Sequence, residues 1–403
     1  MVELLSPAGN FEKLKAAVHY GADAVYLAGK QFGMRALAGC FSVDEMRSAV
    51  QYCHQRNKKV YLTLNVMPHP FEYPALTNYL KEIEDIDFDA YIIADLGVLS
   101  LVKELSPDRE IHISTQASVL SAQSAKMYMD LGAKRVVLSR ELTFDEIADI
   151  RAKTPKELEL EAFIHGAMCI SYSGRCFISN HFTGRDANRG ACAQPCRWIY
   201  KFAEEKRPEM PLTAEQSERG TLLFGSKDLC MIEHIPALMQ SGITSFKIEG
   251  RMKSAYYAAV TANAYRLAID SYIKNPNAYQ FDKRWLLELE SVSHREYDTG
   301  FFFDTPQNDP KLANSAGYLE SKAYLADCVG YDKDTKLAKF IQKNKVSVGQ
   351  NAEVLSPGMT GRPFVIENMF DSKMNVIDSC PHPYQEFFIT MPFDIKDGDI
   401  LRA

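Results

Sequence analysis

The chain has 403 residues, of which 46% are hydrophobic and 24% charged, and 46 Lys and Arg set against 52 Asp and Glu give a net charge of −6. These are ordinary values for a soluble globular protein, long enough for two or three domains. The acidic balance argues against wholesale coating of nucleic acid and leaves room for a local basic patch.

Glu3 follows Met1 almost at once, so no basic region and apolar run mark a secretory signal. The longest apolar stretch, around Tyr91 to Val102, is interrupted by Asp95 and falls short of the ~20 residues of a membrane span. The expectation is a cytoplasmic protein with no membrane partner. In that reducing compartment clustered cysteines point to metal binding or redox chemistry rather than to disulfides.

Along the chain, short apolar runs alternate with segments of helical period. The predicted strands are Val2–Ser6, Ala24–Leu27, Val60–Asn65, Tyr91–Asp95, Ile111–Gln116, Arg135–Ser139, Leu160–His165 and Ser245–Glu249. Met46, Ala49, Val50 and Cys53 share one helix face, and Ser42 with Glu45 and Thr143 with Glu146 have capping-box spacing. Eight such units within residues 1–275 predict an α/β fold, a (β/α)8 TIM-like barrel, which typically takes ~250 residues. The rival, a doubly wound open sheet, usually carries a glycine-rich phosphate turn, and neither GxGxxG nor GxxxxGK[ST] occurs.

Chemistry in such barrels sits where strands end and the following loops begin. The strand ends supply Ser6, Asn65, Asp95, Ser114, Gln116, Arg140, Glu141, His165, Lys247, Glu249 and Arg251. Any one of them can equally be an ordinary polar loop residue. After the seventh strand an insertion of about 166–228 far exceeds the about 2–6 residues usual for such a loop, and that length points to function.

Residues 276–315 carry Pro276, Pro306, Pro310 and the run Phe301–Phe303, and read as a connecting segment. Within 316–403, from Gly317 onward, strand-like runs follow at Tyr324–Gly330, Leu337–Gln342, Ala352–Leu355, Phe364–Phe370, Glu386–Met391 and Asp399–Arg402, with a "KDGD" turn before the last. They predict a small C-terminal antiparallel β-barrel domain, suited to docking substrate or partner.

The long insertion holds Cys169, Cys176, Cys192 and Cys196 in the pattern C-x6-C-x15-C-x3-C, four of the nine cysteines. Gly166, Gly174, Gly184 and Gly190 give the loop freedom to wrap something compact. Three readings stand: unrelated thiols, a zinc site, or an iron–sulfur cluster. Zinc ribbons prefer shorter C-x2–4-C pairs on both sides, whereas thiolate-held clusters suit irregular spacing. Cys40 and Cys230 are further ligand candidates, while Cys53, Cys328 and Cys380 read as packing residues.

The insertion is also locally basic. Arg175, Arg185, Arg189, Arg197 and Lys201 face a single acid, Asp186, and Phe177, Phe182, Trp198 and Tyr200 are interleaved. Arginine with aromatics suits unpaired bases and phosphates; it also suits a small-molecule carboxylate, or merely offsets neighbouring acids. No HExxH or GxSxG element is present. The one hydrolase pairing available by residue type is Cys169 as nucleophile with His165 as base.

Three groups of motifs carry a resemblance. "EAFIHGAMCISYSGRCFIS" is followed by "RGACAQPCRW" and "SKDLC"; "ELLSPAGNFEKLKAAVHYGADAVYLAG" precedes them; "FKIEGRMKSAYYAAVTANAYR" and "SHREYDTGFF" come after. Together they resemble the collagenase-like family of peptidases of unassigned catalytic type, the U32 peptidases, over most of the first 303 residues. The residues after 316 fit the small C-terminal domain of some members.

The resemblance implies one of two activities. The family is named for proteolysis of collagen and other peptides, yet some branches hydroxylate RNA bases or a quinone precursor with an iron–sulfur cluster. The chain resembles in particular the branch that forms 5-hydroxyuridine at the tRNA wobble position, drawing on prephenate metabolism. By motif, Cys169, Cys176, Cys192 and Cys196 are the implied ligands of a 4Fe-4S cluster, with zinc as the alternative metal. Arg175, Arg189 and Arg197 are the candidates for holding RNA phosphate or a prephenate-type carboxylate. His165, Lys247, Glu249 and Arg251 are those for positioning and proton transfer. The expected partners are the tRNA anticodon loop, whose bases are already unstacked, a small carboxylate, and a family paralogue as hetero-partner.

Overall fold

Short runs such as Ala24–Leu27, buried at every position, are satisfied only in a sheet covered on both faces. Eight of them do this by closing on one another. The computed structural model describes residues 2–34, 39–200, 226–305 and 318–403, together with three short backbone strands between 202 and 222. Its barrel strands are β1 (Glu3–Pro7), β2 (Ala24–Leu27), β3 (Lys59–Leu64), β4 (Ala90–Ile93), β5 (Glu110–Ile113), β6 (Arg135–Val137), β7 (Glu159–Ala167) and β8 (Ser245–Ile248). Each is parallel to the next, and β8 pairs with both β1 and β7, which closes the cylinder.

The helices between strands start where the sequence signals them. Ser42 and Thr143 both form complete capping boxes with Glu45 and Glu146. The buried residues of the helix Val43–His54 are Met46, Ala49, Val50 and Cys53, the face predicted from their spacing. β5 is shorter than predicted. The Ser114 side chain accepts the Gln116 N–H and starts a 3-10 turn at Thr115–Ala117, which ends the strand.

The inside of the barrel is ionic at its centre. Arg135 lies 2.6 Å from Glu3, 2.9 Å from Glu161 and 2.6 Å from Glu159. Lys247 lies 2.6 Å from Glu161, and the Ser245 hydroxyl donates to Glu3 and Glu161. Burial alone would raise the Glu161 carboxyl, yet Lys247 and Arg135 hold it below the usual carboxylate range. Such a network is tolerable only because every charge in it is paired.

Residues 276–305 do more than connect. The helix Lys283–Glu290 packs on the long helix Ala255–Lys274 through Trp285 and Leu289. The strand Tyr297–Asp298 joins the barrel sheet beside Asp228–Cys230. Pro306, Pro310 and Gly317 lie outside the described residues.

The main sheet of the C-terminal unit has six antiparallel strands, β9 (Tyr324–Asp332), β10 (Leu337–Gln342), β11 (Asn351–Leu355), β12 (Arg362–Val365), β13 (Glu386–Thr390) and β14 (Ile400–Arg402), and Val346–Ser347 pairs separately with Ser379–Cys380. Their order is β12-β11-β14-β9-β10-β13, with β12 and β13 at the two edges of the sheet. It is an antiparallel half-barrel, in keeping with the small C-terminal antiparallel β-barrel domain expected from the sequence.

Arg402, wholly buried, ties this unit to the barrel. It lies 2.5 Å from Glu288 and 2.8 Å from Glu353, and donates to the Tyr256 and Ser291 hydroxyls. Tyr20 adds bonds to the carbonyls of Leu355 and Gly398. Removing one partner of a buried pair strands the other charge. Arg402→Ala is therefore expected to cost about 3–5 kcal/mol of unfolding free energy, measured by chemical denaturation. A loss under about 1 kcal/mol would contradict that reading.

Candidate active site at the barrel mouth

The insertion leaves β7 and returns beside it. Ala167 pairs with Asp228 and Gly166 with Leu229, antiparallel, so both ends of the excursion are stapled at one point of the rim. Gly166 sits at φ +104°, and a Cβ there would meet the Glu249 carbonyl oxygen at 2.4 Å. Asp228 is locked by Arg295: the two side chains lie 2.7 Å apart, both buried. The Arg295 guanidinium also donates to the Met168 carbonyl, one residue before Cys169.

Further along, Ser118 donates to the Ser173 carbonyl at 2.8 Å. Gly174 lies so near Gln116 that a Cβ would meet its carbonyl oxygen at 2.2 Å. The insertion is thus pressed onto the loop after β5.

Between insertion and strand ends lies a cavity of about 170 Å³. All four insertion cysteines line it, and all four are free thiols. Burial pushes the Cys196 thiol up to about 11, and nearness to Cys169, Cys192 and Cys176 adds to the rise. The Gln194 N–H donates to the Cys192 sulfur at 3.4 Å. Among the described residues, no group of three or more His, Cys, Asp or Glu side chains is arranged to hold a single metal ion.

Facing the thiols are Lys247, Glu249 and Arg251, which line the cavity from the strand side. The Lys247 ammonium lies 4.7 Å from the Tyr26 ring centroid and 5.3 Å from that of Phe163. The Tyr26 hydroxyl donates to the Ile248 carbonyl at 3.0 Å and lies 3.4 Å from the Glu249 carboxylate, and Arg251 donates to the Thr63 hydroxyl. Arg140 stacks on Phe163 at 4.1 Å and donates to the Ala167 carbonyl. The chamber thus has cations, one carboxylate and an aromatic wall.

The loop arginines separate. Arg197 lines the cavity and bonds to Gln194 and to the Tyr318 hydroxyl. Arg189 is held 2.5 Å from Glu72. Arg175 is exposed and outside the cavity lining. Lys201 lies outside the described residues.

His165 is set apart from the other candidates. Alternation along β7 would turn it inward with Phe163, but the strand carries a bulge. Phe163 pairs with Lys247, and the next partner pair is His165 with Ile248, so β7 spends two residues where β8 spends one. An extra residue reverses the facing of the residues after it. His165 lies against Tyr297, Tyr265 and Tyr257, with ring centroids 5.4, 5.5 and 5.9 Å away. Cys230 is likewise buried beside Tyr265, and neither Cys230 nor Cys40 is among the cavity-lining residues.

Reading strand ends did not single out Glu161, which anchors Lys247, or the Asp228–Arg295 brace. The signals were present: an acid inside the apolar run "LELEAFIH", and the motifs "SKDLC" and "SHREYDTG".

The architecture defines a class first: a (β/α)8 barrel whose mouth carries a lid bearing four free thiols. Residues 9–311 match Peptidase family U32 and residues 320–402 match the Peptidase family U32 C-terminal domain. The chain belongs to that family. It is 38% identical over 401 residues to tRNA hydroxylation protein P1 of Bacillus subtilis, spanning 99% of this chain and 94% of the relative. It is 33% identical over 435 residues to tRNA hydroxylation protein P of Escherichia coli, spanning 98% and 94%. An uncharacterized protease of Methanocaldococcus jannaschii, MJ0090, is 44% identical over 306 residues, spanning 75% and 73%. No helix among the described residues is long and apolar enough to cross a membrane.

Burial lowers both His165 and His112 to about 3, while an unfolded imidazole titrates near ~6.5. Between those values the unfolded chain binds more protons, so stability is intact above pH ~6.5 and falls as pH drops toward 3, by up to ~1.4 kcal/mol per unit per ring. His165→Phe is expected to flatten the stability–pH slope between pH 6.5 and 5 in denaturant titrations. An unchanged slope would mean that the ring is not sealed from water.

Proposed function

We propose that the protein is an RNA-base hydroxylase that converts the wobble uridine of tRNA to 5-hydroxyuridine. An iron–sulfur cluster, of the 4Fe-4S type, is held by Cys169, Cys176, Cys192 and Cys196. The observation that carries this reading is the gathering of four free thiols on one cavity, opposite Lys247 and Arg251. Full-length similarity to proteins named for tRNA hydroxylation supports the substrate.

The donor set suits a cluster better than zinc. One tetrahedral zinc ion is usually held by C-x2–4-C pairs on both sides, whereas the first pair here is C-x6-C. A cluster of several irons takes thiolates that stand further apart. When bound, it supplies one-electron chemistry at the lid side of the cavity.

The chain's own residues do the rest. Arg197, beside the thiols, and Arg251, on the strand side, hold an anion, either RNA phosphate or a prephenate-type carboxylate, by charge-assisted bonds. Phe163 and Tyr26 form an apolar wall along which a flat pyrimidine fits, and they keep water from it. Glu249 is the group placed to hold a proton, with the Tyr26 hydroxyl 3.4 Å from its carboxylate. Lys247, neutralised from below by Glu161, directs its remaining N–H donors to the bound base.

The family name and the archaeal relative favour a second reading, a peptidase. It needs a base beside the Cys169 thiol, and the bulge in β7 turns His165 to the opposite side of the strand.

Protein purified without oxygen is expected to be brown, to absorb near ~400 nm, and to carry about four iron and four sulfide per chain. Colourless protein with one zinc would refute the cofactor. Nucleoside mass spectrometry of tRNA from a deletion strain should lack 5-hydroxyuridine, restored by the wild type and not by Cys169→Ala. An unaltered nucleoside profile would refute the activity.

A further inference from the structure

The loop after β3 carries a feature that neither the fold nor the cavity requires. Pro70–Glu72 forms a 3-10 turn capped by Glu72, whose carboxylate accepts the His69 N–H at 2.8 Å. That cap uses Pro70 and Glu72. Phe71 between them is 73% exposed, an apolar ring held in water where a polar residue would serve the turn equally well. The His69 ring, also exposed, stacks on it with centroids 5.7 Å apart and planes 24° from parallel. The Arg189 guanidinium lies 5.8 Å from the Phe71 centroid, fixed there by Glu72.

This cluster is tied to the rim of the cavity. The Met67 N–H donates to the Asn188 carbonyl at 3.2 Å, and the Asn188 side chain donates to the Cys176 carbonyl at 3.3 Å. Asn188 itself lines the cavity. The platform and the thiol-bearing lid are therefore one mechanical unit.

Resting on the RNA reading above, we propose that Phe71, backed by His69 and flanked by Arg189, is a stacking platform for an unpaired base neighbouring the one taken into the cavity. A preset aromatic pair accepts any base on its π-face, because stacking is tolerant of sequence. Arg189 keeps N–H donors beyond those engaged by Glu72, and these suit the adjoining phosphate. The nearby surplus of Arg175, Arg185 and Arg197 over Asp186 fits a polyanion, so the chosen partner is RNA.

The test is fluorescence anisotropy of the full-length protein, handled without oxygen, with a labelled anticodon stem-loop RNA. Because its ring is largely in solvent, Phe71→Ala should keep the wild-type melting temperature and iron content. It should weaken binding roughly 5- to 150-fold, the range for one lost stacking contact. Phe71→Tyr should bind as the wild type does. Since no charge is lost, the salt slope should stay the same in Phe71→Ala and become shallower in Arg175→Ala. Wild-type affinity in Phe71→Ala, or an equal loss toward a blunt duplex RNA, would overturn the platform while leaving the RNA reading intact. Failure of the wild type to bind the stem-loop would sink both.

Discussion

The pairing of Ala167 with Asp228 is the constraint on which the site depends. An excursion as long as this one would ordinarily leave its two ends free to part, and closing it costs entropy. Here the ends are adjacent strands, so whatever lies between is returned to the same point of the rim. The Asp228–Arg295 pair makes that junction rigid. Taking both charges out of water is costly, and it is offset because Asp228 accepts from both the backbone and the side chain of Arg295. Arg295 then reaches the Met168 carbonyl, so one guanidinium joins the start of the lid, its end, and the segment Tyr297–Asp298 alongside.

The chamber below depends on charge compensation that begins deeper in the barrel. Lys247 faces the cavity, yet its ammonium is balanced by Glu161, which also serves Arg135, which in turn binds Glu3 and Glu159. Lys247 therefore contributes directed N–H donors more than net charge. Arg251 on the strand side and Arg197 on the lid reach the cavity from two different elements. An anion held by both would bridge floor and lid.

Most of the barrel was legible because fully buried parallel strands are short, apolar and evenly spaced: Ala24–Leu27 and Ser245–Ile248 read almost unambiguously. The helix Lys283–Glu290 was missed because it has only eight residues, with two well-buried apolar anchors, Trp285 and Leu289, amid prolines and aromatics. The four lid cysteines stood out by crowding alone. Lys247, Glu249 and Arg251 came from the strand-end rule. His165 obeyed the same rule on paper, but a one-residue bulge, visible only in the register of β7 against β8, turned it away. Glu161 and Arg295 escaped because their partners are 86 and 67 residues distant.

Apart from Cys40, which is half-buried and does not line the cavity, the thiols divide between packing positions and the cavity. Burial pushes Cys53, Cys230 and Cys328 up to about 12 and Cys380 to about 11. They are protonated at neutral pH and act as small apolar residues. Cys169 and Cys192, by contrast, are exposed, and Cys176 and Cys196 are half-buried, although burial also raises the Cys196 thiol to about 11. Accessible thiols are open to oxidation unless something engages them. A protein with arginines, glycines and a buried ion pair spent on keeping four such thiols around one cavity has an arrangement that packing does not explain. The cluster proposed above would account for it, since a thiolate bound to iron is both engaged and deprotonated. On that proposal the brace at the lid's root has a purpose: ligands drawn from a long excursion would hold one geometry only if the excursion has a fixed beginning and end.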